Sequence, residues 1–402
     1  MFHHRAVPIV LSVALIDAIG FGIVLPVLPK LILQLTELSL TEVTRIGGWL
    51  GASYALAQFF AGPILGRLGD SIGRRPVLLF STIAFAIDYA LCAAAPTLAW
   101  LFLGRVVAGI AGATFGPANA VLADVTPPEK RGQTFGLMGA AFGIGFILGP
   151  VIGGLIAKFD PRTPFLVAGG LAALNAVWIM VALPETMAPE KRRKFDIKQA
   201  HVIGSFRPLF DAGGAKWLLV AVFCWQFAHM VYPATWSFWG KVAMGWSEEQ
   251  IGYSLAASGA GMVIIQTMVL GRVLKRFGEA RTAVIGILAG ALVFTGYIFA
   301  RENWMIFILL AFGAIQAMAY PSMNGLLSRM VDPSHQGALQ GGMGSLMSVT
   351  AVLAPLVMTQ LLAAGAEHGF TGGNFVLAAG LAFAALAIIV TKVVPKVAKP
   401  AA

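Results

Sequence analysis

Three ionisable side chains lie inside long apolar stretches of the sequence. Asp17 is near the middle of the first stretch, Asp88 is similarly deep in the third, and Arg105 lies within the fourth. Charged groups inside a bilayer are costly and are typical of ion and proton pathways. Burial favours the neutral form of a carboxyl group, whereas a nearby cation favours the charged form. A carboxyl group whose access to water or to Arg105 changes with conformation can therefore carry a proton across a membrane.

Each of these residues also has a structural interpretation. Asp17 or Asp88 could serve only to hydrogen-bond a neighbouring helix, and Arg105 could serve only to clamp carbonyl groups or one of the aspartates. His229 is the only histidine deep in an apolar stretch, and it could be a packing residue. The assignment of Asp17, Asp88 and Arg105 to proton coupling is therefore a hypothesis.

A stripe of aromatic residues follows one face of the seventh apolar stretch, because its members are separated by alternating steps of four and three: Trp225, His229, Tyr232, Trp236 and Trp239. Such a stripe could stack on a planar or cationic ligand. The alternatives are packing between helices or an interfacial aromatic belt, above all for Trp236 and Trp239. The residues predicted to contact a substrate are Asp17, Gln58, Asn119, Gln226, His229, Tyr232, Trp236 and Gln316.

The composition requires a membrane around these residues. The 402-residue chain is 58% hydrophobic and 11% charged, which excludes a water-soluble domain. A membrane helix needs about 20 mainly apolar residues. Twelve predicted spans meet this requirement: Val7–Pro29, Ile46–Leu65, Val77–Ala95, Leu98–Leu122, Gly132–Ala157, Pro164–Leu183, Trp217–Trp239, Ile251–Leu270, Ala283–Phe299, Trp304–Leu327, Gly337–Leu362 and Asn374–Val394.

The net charge of +10 follows the predicted topology. With the N-terminus inside, 21 of the 28 Lys and Arg residues face the cytoplasm and six face outward. This bias fits the positive-inside rule and places both termini in the cytoplasm. It indicates a multi-pass protein of the inner or plasma membrane whose basic loops contact lipid, and it argues against nucleic acid as a partner.

The sequence gives no indication of catalysis, a metal site or a bound cofactor. Cys92 and Cys224 lie within spans, so neither a disulfide framework nor a metal site is predicted. Phosphate-binding glycine loops, metal-spaced histidine pairs and nucleophile triads are not evident. The first span lacks a small-residue cleavage site and is expected to be a mature helix.

An internal repeat relates the two halves of the chain. GRLGDSIGRRP at Gly66 matches GRVLKRFGEAR at Gly271, and KRGQTFG at Lys130 matches HQGALQG at His335, both with an offset of 205 residues. We therefore predict an N-terminal six-helix bundle at 1–184, a polar cytoplasmic linker at 185–216 and a C-terminal six-helix bundle at 217–402. Two parallel repeats about an axis normal to the membrane are typical of transporters that bind substrate near the midplane.

Glycines in the fifth span predict close helix contact. Gly145, Gly149 and Gly153 are spaced by four residues and form a smooth face, while Pro150 permits a bend. Tight packing alone explains this pattern, and a hinge used during rocking is the functional alternative.

These motifs resemble the drug–proton antiporter branch of the major facilitator superfamily, and within it the tetracycline-exporter-like group. The resemblance is carried by LIDAIGFGIVLPVLP at Leu15, GRLGDSIGRRPVLL at Gly66, LGRVVAGIAGAT at Leu103, GAAFGIGFILGPVIGG at Gly139 and QGALQG at Gln336. It implies the twelve-helix major facilitator fold. It also implies that Arg105, Asp17 and Asp88 occupy the group's charged intramembrane positions, and that the span-five glycine motif is associated with antiport.

The resemblance further implies a set of gating residues. Asp70, Arg74 and Asp124 would form a charge cluster that latches the two halves in the outward-open state. The remaining gating candidates are Gly66 of the same loop, with Gly149, Pro150 and Gly153 of span five. In the second half the chain departs from the group, because Met262 and Gly290 stand where a histidine and an aspartate are expected. This departure argues against tetracycline itself as the substrate.

The expected function is proton-coupled export of small amphipathic drugs, cationic or metal-chelated, by a monomeric transporter that uses the proton gradient and needs no cofactor. Two alternatives use the same fold. One is a proton symporter that imports a nutrient or metabolite, and the other is a passive facilitator or lipid-handling transporter. The direction of substrate-induced proton flux and the pH dependence of transport distinguish these three functions.

Overall fold

The structure is a computed structural model that describes residues 5–112, 115–127, 130–195, 215–330 and 336–397. These residues form helices joined by short turns. Helices dominate because backbone polar groups inside a bilayer must be satisfied within the segment that carries them.

The described residues of the first half form eight α-helices. They are α1 (Ala6–Val24), α2 (Leu28–Leu35), α3 (Leu40–Ile72), α4 (Arg74–Ala94), α5 (Leu98–Ala111), α6 (Phe115–Val125), α7 (Arg131–Ile156) and α8 (Thr163–Ala182). A short 3₁₀ helix, Pro189–Lys191, follows at the start of the predicted linker.

Nine α-helices follow in the part of the second half that the structure describes. They are α9 (Lys216–His229), α10 (Val231–Met244), α11 (Glu248–Ile264), α12 (Leu270–Phe299), α13 (Asn303–Gly313), α14 (Ala319–Arg329), α15 (Gln336–Glu367), α16 (Gly373–Ile388) and α17 (Val394–Val397). A 3₁₀ segment, Ala314–Met318, separates α13 from α14, and π-helical turns occupy Ile265–Val269 and Ile389–Val393.

Ten helical stretches of the described residues are long and apolar enough to cross a membrane. The predicted spans Ile251–Leu270 and Ala283–Phe299 fall together in one of them, Glu248–Phe299. The predicted span Ile46–Leu65 lies within α3 and is not among the ten, because its glycines and polar side chains lower its hydropathy. Each of the twelve predicted spans therefore overlaps helices among the described residues.

Three predicted spans are irregular where the sequence suggested uniform single helices. The first divides between α1 and α2, the seventh has a turn at Met230 between α9 and α10, and the tenth contains the 3₁₀ segment. Proline contributes to the irregularity of the seventh span, because Pro233 has no N–H to donate to the carbonyl of His229. Apolar composition alone does not reveal such irregularities.

The offset of 205 residues recurs in the geometry. Gly73, between α3 and α4, has a φ of 112°, and Gly278, inside α12, has a φ of 73°. Both values lie in the left-handed region that favours glycine. Pro150 inside α7 and Pro355 inside α15 are separated by the same interval. The repeat seen in two loops thus extends to backbone turns and helix prolines.

The helices pack into two compact units. Unit 1 takes in the described residues of Met1–Ser39, Leu50–Val202 and Trp246–Ala256, and unit 2 those of Leu40–Trp49, Ile203–Gly245 and Ala257–Ala402. The first turns of α3 thus pack within unit 2, and the first turns of α11 pack within unit 1. The boundaries 1–184, 185–216 and 217–402 stay a prediction.

Each unit is built from a few close helix pairs. In unit 1, α1 packs against α7 and α8, and α4 packs against α5 and α8. In unit 2, α12 packs against α14 and α16, and α9 packs against α16. These pairs position the polar side chains that lie inside the apolar segments.

Candidate functional site

The best-defined polar group in unit 1 is a buried ion pair between α4 and α5. Asp88 is 0% exposed and the Arg105 side chain 13% exposed, and Arg105 Nη2 donates to Asp88 Oδ2. Cys92 Sγ donates to Asp88 Oδ1 at 3.4 Å and lies 3.8 Å from Arg105 Nη2. Cys92 is one helical turn beyond Asp88, so both side chains share one face of α4. Both carboxylate oxygens therefore have a partner.

A glycine lets α5 approach this carboxylate. A Cβ atom on Gly104 would lie 2.8 Å from Asp88 Oδ1 and 3.0 Å from Cys92 Sγ, closer than a side chain tolerates. The α5 backbone therefore rests directly against the ion pair, one residue before Arg105.

Asp17 lies on α1, where it meets α8. Asn175 Nδ2 is 3.5 Å from Asp17 Oδ1 and 3.4 Å from the Val13 carbonyl oxygen. Asn175 therefore bridges two helices as well as contacting the carboxylate. Buried amide hydrogen bonds of this kind hold helices together inside a membrane.

Asp17, Asp88 and Arg105 lie on α1, α4 and α5 of unit 1. The ion pair joins Asp88 to Arg105, whereas the carboxylate of Asp17 has Asn175 as its neighbour. The structure therefore places the residues predicted to couple protons on three helices of the same unit.

Gln58 has a structural partner at the end of α5. Its Nε2 donates to the carbonyl oxygen of Gly112 at 2.7 Å and lies 3.4 Å from the hydroxyl of Tyr54. Gly112 is the C-terminal cap of α5, so this side chain of α3 ties the two helices together. Asn119, on α6, is half-buried.

The aromatic stripe of the seventh span lies in the interior of unit 2. The ring centroids of His229 and Tyr232 are 5.3 Å apart, and those of Trp225 and His229 are 5.9 Å apart. Gln316 Nε2 donates to the Tyr232 hydroxyl at 2.8 Å. Gln226 is buried, and its backbone carbonyl oxygen accepts a hydrogen bond from the Met230 backbone N–H at 3.1 Å.

The interpretation of Trp236 and Trp239 as an interfacial belt is wrong. Both indoles are 1% exposed. They pack against Tyr297 and Phe375, with the Trp239 and Phe375 centroids 5.1 Å apart at nearly perpendicular planes. Edge-to-face packing of this kind stabilises a core. A substrate role for Trp236 stays a prediction.

The three charged gating candidates lie together at one end of unit 1. Arg74 Nη2 is 2.6 Å from Asp70 Oδ1, and Arg74 Nε is 3.7 Å from Asp124 Oδ2. A cavity of about 230 Å³ adjoins them and is lined by Asp70, Arg74, Met187 and Arg193. The backbone N–H of Arg193 donates to the Asp70 carbonyl at 2.9 Å. The start of the linker therefore packs on this cluster.

Glu185 anchors the linker to the same turn. Its carboxylate accepts hydrogen bonds from the backbone N–H groups of Arg74 and Arg75 at 2.9 and 3.2 Å. It also accepts from those of Thr186 and Met187, each at 2.9 Å. The free N–H groups at the start of α4 are thus satisfied by an anion, which the helix dipole also favours.

The glycine face of α7 packs against α1, as predicted. A Cβ on Gly149 would lie 2.6 Å from the carbonyl oxygen of Ile19, and one on Gly153 would overlap the backbone of Ile23. Pro150 lies inside α7 beside Gly22 of α1. Gly66 differs, because a Cβ there would meet no described atom within 4 Å. Packing among the described residues does not explain that glycine.

Two ion pairs fasten the start of α11 within unit 1. Lys158 Nζ is 2.6 Å from Glu249 Oε2, and Lys30 Nζ is 3.7 Å from Glu248 Oε2. The hydrogen bond to Glu249 raises the pKa of the Lys158 ammonium above its ordinary value. The α7 backbone is in direct contact here, since a Cβ on Gly154 would lie 2.6 Å from the Glu248 carbonyl oxygen.

Tyr54, Cys92 and Glu185 were not predicted from the sequence as residues of the site. Helical spacing offered a signal for two of them, because Cys92 is one turn after Asp88 and Tyr54 is one turn before Gln58. Glu185 carried no such signal, since its partners are backbone groups about a hundred residues earlier in the chain.

Comparison with known proteins places this geometry in a family. The Major Facilitator Superfamily profile matches residues 10–355 and 230–402. The chain is 38% identical over 367 residues to the class C tetracycline resistance protein of Escherichia coli, covering 91% of this chain and 92% of that protein. It is 34% identical over 350 residues to the class B protein of the same organism, covering 87% and 86%.

More distant relatives share the same architecture. The chain is 26% identical to Multidrug resistance protein 2 of Bacillus subtilis (strain 168) over 385 residues, covering 93% of this chain and 92% of that protein. The human organic anion transporter MFSD10 superposes with a TM-score of 0.73 at 24% identity, covering 96% of this chain and 99% of that one. The nucleoside transporter NupG superposes with a TM-score of 0.76 at 15% identity, covering 96% and 99%.

These similarities and the apolar helices identify a multi-pass protein of the cell membrane. The predicted all-α membrane fold of two six-helix bundles is confirmed, and so is the resemblance to the tetracycline-exporter-like group. Its relatives are transporters and not enzymes. The chain belongs to the Major Facilitator Superfamily of transporters.

Proposed function

We propose that this transporter exports small amphipathic compounds across the cell membrane in exchange for protons, by alternating access. The observation that carries the proposal is the buried ion pair of Asp88 and Arg105 inside a membrane segment. A charged pair in this position is energetically costly, and such pairs are typical of functional sites in membrane proteins. Similarity to tetracycline resistance proteins over most of the chain supports the direction of transport.

Proton coupling is assigned to Asp17, Asp88 and Arg105. While Arg105 bonds Asp88, the cation stabilises the charged carboxylate. When Arg105 moves away, the same carboxyl group is left buried and takes up a proton instead. Asp17 lies on α1 in the same unit, and we assign it the second proton-accepting position.

The substrate is assigned from charge. With Asp17 and Asp88 ionised and Arg105 protonated, the three side chains carry a net charge of minus one, which favours a cation or a metal-chelated compound. Gln58, Asn119, Gln226, His229, Tyr232, Trp236 and Gln316 are the proposed uncharged contacts. Unit 2 has Met262 and Gly290 where the tetracycline-exporter-like group carries ionisable residues, which favours a substrate other than tetracycline.

The remaining gating residues are assigned to the conformational change. Asp70, Arg74 and Asp124 form the proposed latch between the bundles 1–184 and 217–402. Gly149, Pro150 and Gly153 let α1 and α7 move as one body, because their backbones touch along the whole glycine face. We place both termini in the cytoplasm and expect a monomer in contact with membrane lipid.

The test is proton-coupled transport in reconstituted vesicles with an imposed pH gradient, followed by fluorescence of ethidium, an amphipathic aromatic cation. Asp17→Asn should abolish ethidium movement driven by the gradient. The matched control is Asp160→Asn, because Asp160 lies in the turn between α7 and α8, outside the spans.

Retention of gradient-driven movement by Asp17→Asn would refute the role of Asp17. Proton movement in the same direction as ethidium would indicate the symport alternative, and transport that does not respond to pH would indicate a passive facilitator. Proton movement opposite to ethidium is the expected result.

A further inference from the structure

Two irregular helices meet inside unit 2. The seventh span has a turn at Met230, which keeps helical φ and ψ between α9 and α10, and the tenth span contains the 3₁₀ segment Ala314–Met318. A 3₁₀ stretch in the middle of a helix often marks a functional position. Transporters commonly build substrate sites where membrane helices are discontinuous.

A side-chain hydrogen bond joins the two irregular helices. Gln316, in the middle of the 3₁₀ segment, donates from Nε2 to the hydroxyl of Tyr232 at 2.8 Å, and the Tyr232 ring contacts that of His229. The first turn of α10 is therefore tied to the interruption of the tenth span. His229 and Tyr232 are half-buried, so part of each residue's surface is accessible.

Gln316 has an unused hydrogen-bond acceptor. The residue is 7% exposed, and its Oε1 is buried with no hydrogen-bond partner within the part of the chain that the structure describes. Leaving such a group unpaired costs about 1–3 kcal/mol. An incoming N–H or O–H donor would recover that free energy.

Because Gly290 has no side chain, the Trp225 indole can lie close to the Gln316 amide. A Cβ on Gly290 would lie 2.5 Å from Trp225 Cη2 and 3.3 Å from Gln316 Oε1. Trp225 in turn packs against Phe294, with centroids 6.4 Å apart. A larger residue at position 290 would displace the indole or crowd the acceptor. The surroundings of the acceptor are therefore flat, aromatic and uncharged.

We propose that Gln316, Tyr232 and His229 form a recognition site for an uncharged, planar aromatic portion of the substrate that carries an N–H or O–H donor. The donor bonds Gln316 Oε1, and the aromatic plane lies against His229 and Tyr232. Trp225, seated on Gly290, sets the depth of the site. This inference rests on the proposed export function and names the part of the substrate that unit 2 selects.

The test compares two aromatic cations in detergent-solubilised protein, so that no proton gradient is involved. Ethidium is planar and carries aromatic amino groups that can donate, whereas tetraphenylphosphonium is aromatic and has no N–H or O–H group. Gln316→Met removes the acceptor at nearly constant volume. Gln266→Met is the matched control, because Gln266 is an exposed glutamine of the same unit.

Gln316→Met should weaken ethidium binding about five- to tenfold, the effect of one hydrogen bond, and change tetraphenylphosphonium binding by less than about twofold. Gly290→Val should weaken ethidium binding in the same selective way, which keeps the proposal testable if Gln316→Met does not fold. Equal losses for both probes, no loss for either, or no binding of ethidium by the unsubstituted protein would overturn the proposal. Failure of vesicle transport together with selective binding loss would refute proton-coupled export and leave the recognition site standing.

Discussion

Removing the Arg105 guanidinium should destabilise the protein far more than removing an exposed arginine. Asp88 is fully buried and takes its only full positive charge, among the described residues, from Arg105. In Arg105→Gln the carboxyl group must either remain ionised without a counter-charge or take up a proton. Both outcomes cost free energy that the native pair avoids.

The size of the stability loss in Arg105→Gln depends on the hydrogen bonds that Asp88 keeps. Breaking a buried ion pair by deleting one partner costs about 3–5 kcal/mol. Cys92 still donates to Asp88 Oδ1 in the variant, so the lower end of the range applies. We expect a loss of about 3 kcal/mol, which is roughly a hundredfold in the unfolding equilibrium.

A double-mutant cycle isolates the pair. Asp88→Asn combined with Arg105→Gln leaves two neutral amides that can hydrogen-bond, so the double variant should be more stable than Arg105→Gln alone by about 1–2 kcal/mol. The assay is equilibrium unfolding in mixed micelles. Arg281→Gln is the control, because Arg281 is exposed, and its effect should stay within about 0.5 kcal/mol.

The cycle has a clear refuting result. Arg105→Gln with the stability of the unsubstituted protein, or a double variant no more stable than the single one, would show that the ion pair is not a coupled unit. The double variant should fold and yet lose transport driven by a pH gradient, because it has no group that binds a proton at this position.

Three further predictions concern the packing of unit 1. Glu185→Ala removes the anion at the start of α4 and should cost about 1–2 kcal/mol, with faster hydrogen exchange of the first α4 amides as the direct readout; unchanged exchange would contradict the anchoring role. Gly149→Ala should cost about 1–3 kcal/mol in thermal unfolding because its methyl group meets the α1 backbone, whereas Gly170→Ala, which meets open space, should not destabilise. The Lys158–Glu249 pair should stabilise the protein fully between the ordinary glutamate pKa of 4.5 and the ordinary lysine pKa of 10.5. That effect is lost as pH falls through the lowered pKa of Glu249 or rises through the raised pKa of Lys158. The Tm difference from Lys158→Met should therefore disappear only at strongly acidic or strongly alkaline pH, and a difference lost near neutrality would contradict the assignment.

The sequence predicts the helical fold well because hydrophobic length is a physical requirement of the bilayer. It also predicts close packing of another helix on the glycine face of α7, because glycines at four-residue spacing form a smooth face, and the structure shows that this helix is α1. The charged cluster of Asp70, Arg74 and Asp124 was predicted from the resemblance to a family. These features depend on local composition or on a motif.

Other features depend on tertiary packing that no local pattern encodes. The burial of Trp236 and Trp239 in unit 2 could not be separated from an interfacial belt, because both arrangements place indoles on one helix face. The interruption at Gln316 lies in an apolar span without a decisive breaker at that residue. The Glu185 anchor uses backbone N–H groups, which are the same in every sequence.

The central claim is that carboxyl groups buried in unit 1 exchange protons during transport. Its most direct test is the number of protons released into a weakly buffered solution when ethidium binds to the detergent-solubilised protein. The unsubstituted protein should release protons on binding, and Asp17→Asn and Asp88→Asn should each reduce that release. If both variants bind ethidium and release as many protons as the unsubstituted protein, the account is contradicted.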